Sequence, residues 1–88
     1  MQIEDSQIIS RCLDGDRTAF GLLVDKYKAD IYNLAYEKMG NFRESEEITQ
    51  KVFLQAFRNL SKFEQNDDFY EWLQAMTEDI AINKEESQ

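Results

Sequence analysis

Apolar residues recur at helical spacing in four blocks, and turn-forming or polar residues separate the blocks. No block alternates with period two, so strands are not expected. The first block, residues 6–13, sets Ile8, Ile9, Cys12 and Leu13 on one face and stops at Asp14-Gly15-Asp16. The second, 17–39, repeats Phe20, Leu23, Val24, Tyr27, Ile31, Leu34 and Ala35 at i, i+3, i+4, i+7 spacing. Asp16 is its expected N-cap and Gly40-Asn41 its terminator. The third, 44–60, carries Ile48, Val52, Phe53, Ala56, Phe57 and Leu60 on one side; Glu46, Glu47, Gln50, Lys51, Gln55 and Arg58 occupy the others. A polar stretch containing Phe63 leads to the fourth block, 69–82, with the apolar face Phe69, Trp72, Leu73, Met76 and Ile80. Asp68, three residues before Glu71, is placed to cap it. Residues 83–88 are polar and expected to fray. Without an internal repeat or a Pro/Gly/Ser linker, the pattern predicts one domain over 1–88: an all-α, compact bundle of four helices.

Composition narrows the function more than the fold. A chain of 88 residues without histidine and with a single cysteine has no imidazole base, no Ser-His-Asp or Cys-His pair, no disulfide and no Cys/His zinc site. Elaborate catalysis is not expected, and no residue set calls for a cofactor. The acidic, polar start Met1-Gln2-Ile3-Glu4-Asp5 is unlike a signal peptide, and no apolar run is long enough to span a bilayer, so a cytoplasmic protein with no membrane partner is expected.

The net charge of −8 is unevenly spread. Residues 1–62 are nearly balanced, whereas 63–88 hold eight acidic side chains against Lys84 alone. A nucleic acid is bound by neutralising its phosphates, and this last stretch repels them. The basic residues Lys26, Lys28, Lys38, Arg43, Lys51, Arg58 and Lys62 are dispersed as on an ordinary solvated surface.

Other motifs give way to simpler readings. Asp14, Asp16 and Asp25 occupy the first, third and twelfth places of a calcium-loop window, but Ala19 stands where glycine is needed and Asp25 where a bidentate glutamate is needed. A helix stop followed by an N-cap accounts for them. Carboxylate pairs such as Asp67-Asp68 and Glu78-Asp79 read as solvated in the absence of a pocket. Phe53, Phe57, Phe69 and Trp72 fall on inward faces and read as core; Phe63 and Tyr70 are open to either packing or base stacking. Cys12 reads as a small buried hydrophobe.

A more specific signal lies in Ile31-Tyr32-Asn33-Leu34-Ala35-Tyr36, Gly40-Asn41, the run from Glu46 to Leu60 with Thr49-Gln50-Lys51-Val52-Phe53-Leu54-Gln55-Ala56-Phe57 at its centre, and then Phe63 and Phe69-Tyr70-Glu71-Trp72-Leu73. In combination these resemble region 2 of bacterial sigma factors of the extracytoplasmic-function (ECF) group, in the sigma-70 family. The resemblance covers nearly the whole chain. It implies a helical domain that docks on the β′ clamp helices of core RNA polymerase through the helix at 44–60, with Glu47, Gln50, Lys51 and Phe57 on or near that interface. It also implies recognition of the promoter minus-ten element and capture of the non-template strand by residues 61–82, with Lys62, Phe63, Tyr70 and Gln74 as the DNA-binding candidates. No metal or cofactor is implied.

Two positions depart from the family pattern. Lys51 stands where an acidic residue is usual, and the last helix has Tyr70, Glu71, Gln74, Glu78 and Asp79 where several Arg or Lys are usual. The family also carries a region 4 domain that these residues do not include, so the resemblance implies a piece of a longer factor or half of a split one. The alternative is a sigma-like protein-interaction module without promoter melting, acting as a decoy for polymerase or for an anti-sigma factor.

Overall fold

A computed structural model describes residues 4–64 and 66–86. Among these, four α-helices occur and no strand: α1 (Asp5–Leu13), α2 (Phe20–Met39), α3 (Phe42–Arg58) and α4 (Phe69–Glu86). Single 3-10 turns at Arg17–Ala19 and Leu60–Lys62 lead into α2 and out of α3.

The helix boundaries follow from local chemistry. Gly40 ends α2 in the left-handed region at φ 73°, where its N–H bonds the Tyr36 carbonyl at 2.8 Å. Only glycine adopts this conformation without strain. Asn41 then caps α3: its Oδ1 accepts the Glu44 N–H at 2.8 Å, and its Nδ2 donates to the Glu44 carboxylate at 3.1 Å. Two adjacent residues end α2 and start α3, so α3 begins at Phe42 rather than at 44. Asp68 caps α4 by accepting the Glu71 N–H at 3.0 Å, as expected. Asp16 heads the 3-10 turn rather than α2; its carboxylate accepts the Thr18 hydroxyl at 2.7 Å and Arg11 at 3.2 Å.

The apolar stripes meet in one core of Ile9, Leu23, Ile31, Ile48, Val52 and Leu73, with Phe20, Phe53, Phe63 and Phe69 at its margins. Burying these side chains is the main driving force for folding. Among the described residues, the two fully buried polar side chains donate one turn back, Ser45 to the carbonyl of the cap residue Asn41 at 2.6 Å and Thr77 to the Leu73 carbonyl at 2.7 Å. Neither therefore carries the cost of an unpaired buried hydroxyl.

Four placements differ from the periodicity. Leu13, at the end of α1 and the edge of its buried sector, is exposed. Phe57 is 38% exposed because Ser45, Ile48, Val52 and Ala56 form the line of closest approach on α3; it still meets the Phe20 ring edge-on at 5.2 Å. Trp72 is half-buried rather than central, and lies against Phe63. The last helix continues through Glu86 instead of ending at 82, with the Lys84 ammonium bonded to the Glu47 carboxylate of α3. Residues 87 and 88, where fraying was also expected, lie outside the described residues. Cys12 is half-buried against the core, and burial pushes its thiol pKa up, with the nearby Asp16 charge adding to the effect.

Candidate functional site

Helix α3 is held on its inner face by α2 and α4, which leaves its outer face as a ridge. Gln50, Leu54 and Phe57 lie along that ridge at spacings of four and three residues, one above another on a helix. Leu54 is 51% exposed and Phe57 38%. Two large apolar side chains side by side in water, ringed by polar residues, mark a contact surface rather than a packing requirement of the domain itself.

On the α2 side of the ridge, a groove of about 600 Å³ runs between α2 and α3. Val24, Ala29, Tyr32 and Phe53 form its walls, with Glu46 and Gln50 at the α3 rim. The aromatic surface continues past the groove, where Tyr36 lies 6.5 Å from Tyr32 and 5.1 Å from the exposed ring of Phe42.

The four docking candidates therefore share one helix face but not one environment. Gln50 is exposed on the groove side. Glu47 lies toward α4, bonded to Lys84 and 3.7 Å from Arg43. The Lys84 hydrogen bond first, and its charge second, hold the Glu47 carboxyl below the usual glutamate range. Lys51 is exposed on the α4 side, and Phe57 closes the C-terminal end of the ridge against Phe20. Leu54 was missed by sequence reasoning. Its signal was an apolar residue two positions from buried Val52, on the opposite side of the helix.

The nucleic-acid candidates separate more sharply. Lys62 is exposed on the 3-10 turn after α3. Phe63 is only 8% exposed, with its ring 5.4 Å from Phe69 and 5.1 Å from Trp72, so it is a core aromatic in this arrangement and presents no free face to a base. Tyr70 is half-buried and lies flat on Tyr27, with ring centres 5.7 Å apart and planes within 8°. Gln74 follows one turn later on α4, also half-buried.

Tyr27 is fixed in turn from α1: its hydroxyl donates to the Asp5 carboxylate, which also accepts from Lys26 at 2.8 Å. Burial, and secondarily the Asp5 hydrogen bond, push the Tyr27 pKa up to about 12. The Lys26 ammonium lies 5.2 Å from the centre of the same ring. Tyr27 and Lys26 thus support the Tyr70 surface, and nothing in the sequence linked them to it. The loop before α4 and α4 itself carry the exposed carboxylates Asp67, Asp68, Glu71, Glu78 and Asp79, with Glu71 next to Tyr70 in the chain and Asp79 on the opposite side of the helix. Among the described residues no group of three or more acidic, His or Cys side chains is arranged to hold a metal, and no helix is long and apolar enough to cross a membrane.

A four-helix domain with an amphipathic third helix, a connection carrying Phe63 and an aromatic opening to its fourth helix defines a class that comparison with known families identifies. The Sigma-70 region 2 family model matches residues 23–84, and the chain belongs to that family. Within it, the domain is of the extracytoplasmic-function type. It is 34% identical over 84 residues to the ECF RNA polymerase sigma factor SigW of Bacillus subtilis, covering 96% of this chain and 45% of that protein. It is 37% identical over 82 residues to the RNA polymerase sigma-H factor of Pseudomonas aeruginosa, covering 93% and 40%. Among solved structures, it superposes with a TM-score of 0.90 and 29% identity on an engineered region 2 of sigmaE, solved by NMR in complex with GTAAAA. That match covers 99% of this chain and 90% of the other. The chain spans less than half the length of these two sigma factors.

Proposed function

We propose that this domain docks on core RNA polymerase through the outer face of α3 and takes part in recognition of the promoter minus-ten element during transcription initiation. The observation that carries the docking half is the Leu54–Phe57 pair in line with Gln50, which leaves about half of Leu54 and over a third of Phe57 in water. The partner proposed for it, on the resemblance to sigma region 2, is the pair of β′ clamp helices. Glu47 and Lys51 frame this surface on the α4 side. The DNA half draws on the engineered sigmaE region 2, which was solved in complex with GTAAAA and whose fold this chain shares. Here the Tyr27–Tyr70 stack and Lys62 are the elements available to a strand, because Phe63 is enclosed.

Calorimetric titration of the domain with a purified β′ clamp-helix fragment tests the docking half. Saturable binding that Gln50→Ala and Phe57→Ala each weaken is the expected result, and absence of binding by the wild-type domain overturns it. Fluorescence anisotropy with a single-stranded minus-ten oligonucleotide tests the other half. Salt-sensitive binding lost in Tyr70→Ala is expected. A second reading, a module that binds only proteins, such as an anti-sigma factor or a separate region 4 chain, rests on the acidic face Glu71, Glu78 and Asp79. It takes over if the oligonucleotide does not bind at low salt.

A further inference from the structure

Tyr70 is tied to the rest of the domain by a relay that crosses three helices. Its ring lies flat on Tyr27 of α2, and the Tyr27 hydroxyl donates to the Asp5 carboxylate in the first turn of α1. The second oxygen of that carboxylate accepts from Lys26 at 2.8 Å. Asp5 is thereby held at both oxygens, and the first turn of a helix suits its charge, because the free N–H groups there favour an anion. The Tyr27 ring also meets Phe69, with centres 5.8 Å apart and planes at 47°. One face of Tyr70 is therefore covered, and the plane of what remains for a base is set by a ring whose far end is fastened to α1.

By charge alone, Asp5 opposes nucleic acid. With Asp67 and Asp68 it lines a hollow of about 200 Å³ beside the loop before α4, and it engages Lys26, an exposed cation that would otherwise be open to a phosphate. Its geometry argues the other way. An aromatic side chain held in one orientation beforehand need not be ordered by the strand, and for one side chain that saving is worth about two- to tenfold in affinity. We infer that Asp5 is a positioning residue for promoter-strand binding: through the Tyr27 hydroxyl it sets the plane of Tyr70, so that a carboxylate on α1 strengthens the grip on a polyanion. The inference rests on the oligonucleotide reading above and adds the residue that orients its aromatic contact.

The test is fluorescence anisotropy of the single-stranded minus-ten oligonucleotide with the wild type, Asp5→Ala, Asp5→Asn, Tyr27→Phe and Asp5→Ala/Tyr27→Phe, at a temperature where circular dichroism shows each of them folded. Positioning and charge predict opposite signs. Expected is binding weakened about two- to tenfold in Asp5→Ala and in Tyr27→Phe. The double variant should be no weaker than either single one, because both substitutions break the same hydrogen bond. Asp5→Asn keeps an oxygen for the Tyr27 hydroxyl while releasing Lys26, and should bind at least as tightly as the wild type. In proton NMR the Tyr70 ring signals, displaced by the stacked Tyr27 ring, should move in Asp5→Ala and stay in place in Asp5→Asn. Binding by Asp5→Ala as tight as that of the wild type or tighter, or Asp5→Asn as weak as Asp5→Ala, overturns this inference and leaves the oligonucleotide reading standing. No binding by the wild type at low salt overturns both.

Discussion

Leu54→Ala separates what α3 does for the domain from what it does for a partner. Leu54 is 51% exposed, so about half of the roughly 1.5–3 kcal/mol that complete burial of a leucine is worth is still available on complex formation. That is about 1 kcal/mol, or about fivefold in Kd. The half already buried sets the cost to the domain, again about 1 kcal/mol, which lowers Tm by about 4–8 °C at this size. Ile48→Ala is the counterpart on the inner face of the same helix. Ile48 is fully buried, so truncation leaves a cavity costing about 2–5 kcal/mol, and Tm falls by about 8–40 °C. At a temperature where both variants remain folded, titration with the β′ clamp-helix fragment should give weaker binding for Leu54→Ala and wild-type binding for Ile48→Ala. The reverse order, with Leu54→Ala binding normally and folded Ile48→Ala binding poorly, would refute the assignment of the outer face as the docking surface.

Three further outcomes follow from packing and protonation. Phe63→Ala empties a core position and should cost about 3–5 kcal/mol in chemical denaturation; near-normal stability with reduced oligonucleotide binding would instead return Phe63 to the stacking surface. Tyr27 is favoured as the neutral phenol in the folded state, its pKa being raised from 10.0 to about 12, so that part of the stability is complete below pH 10 and is lost as pH rises through 12. Tm of the wild type should accordingly fall more steeply between pH 10 and 12 than Tm of Tyr27→Phe, and equal slopes would count against the Asp5–Tyr27 contact. Gly40→Ala places a Cβ at φ 73° and should cost about 1–2 kcal/mol, seen as a lower denaturation midpoint with an unchanged m-value.

The number of helices, most of their faces and some of their ends are properties of the sequence by itself, because they depend on neighbours within a turn. The 3.6-residue recurrence, Gly40 as the stop of α2 and Asp68 as the cap of α4 all act over at most four residues, and each took its expected place. The run from Thr49 to Phe57, in combination with Phe63 and Phe69-Tyr70-Glu71-Trp72-Leu73, likewise carried the family.

Tertiary structure decided the contacts between residues far apart in the chain. Phe63 and Tyr70, equivalent as aromatics near one loop, diverge because Phe69 and Trp72 fold back over the first while Tyr27, 43 residues earlier, offers the second a flat face. Lys84 became part of the bundle because Glu47 lies across from it, and α4 therefore runs on where its polarity suggested fraying. Leu54 and Phe57 became a surface because the line Ser45, Ile48, Val52, Ala56 points at the core and turns them outward. A periodicity states which residues share a face; which face is covered depends on where the other helices lie, and that is set by packing the whole chain at once.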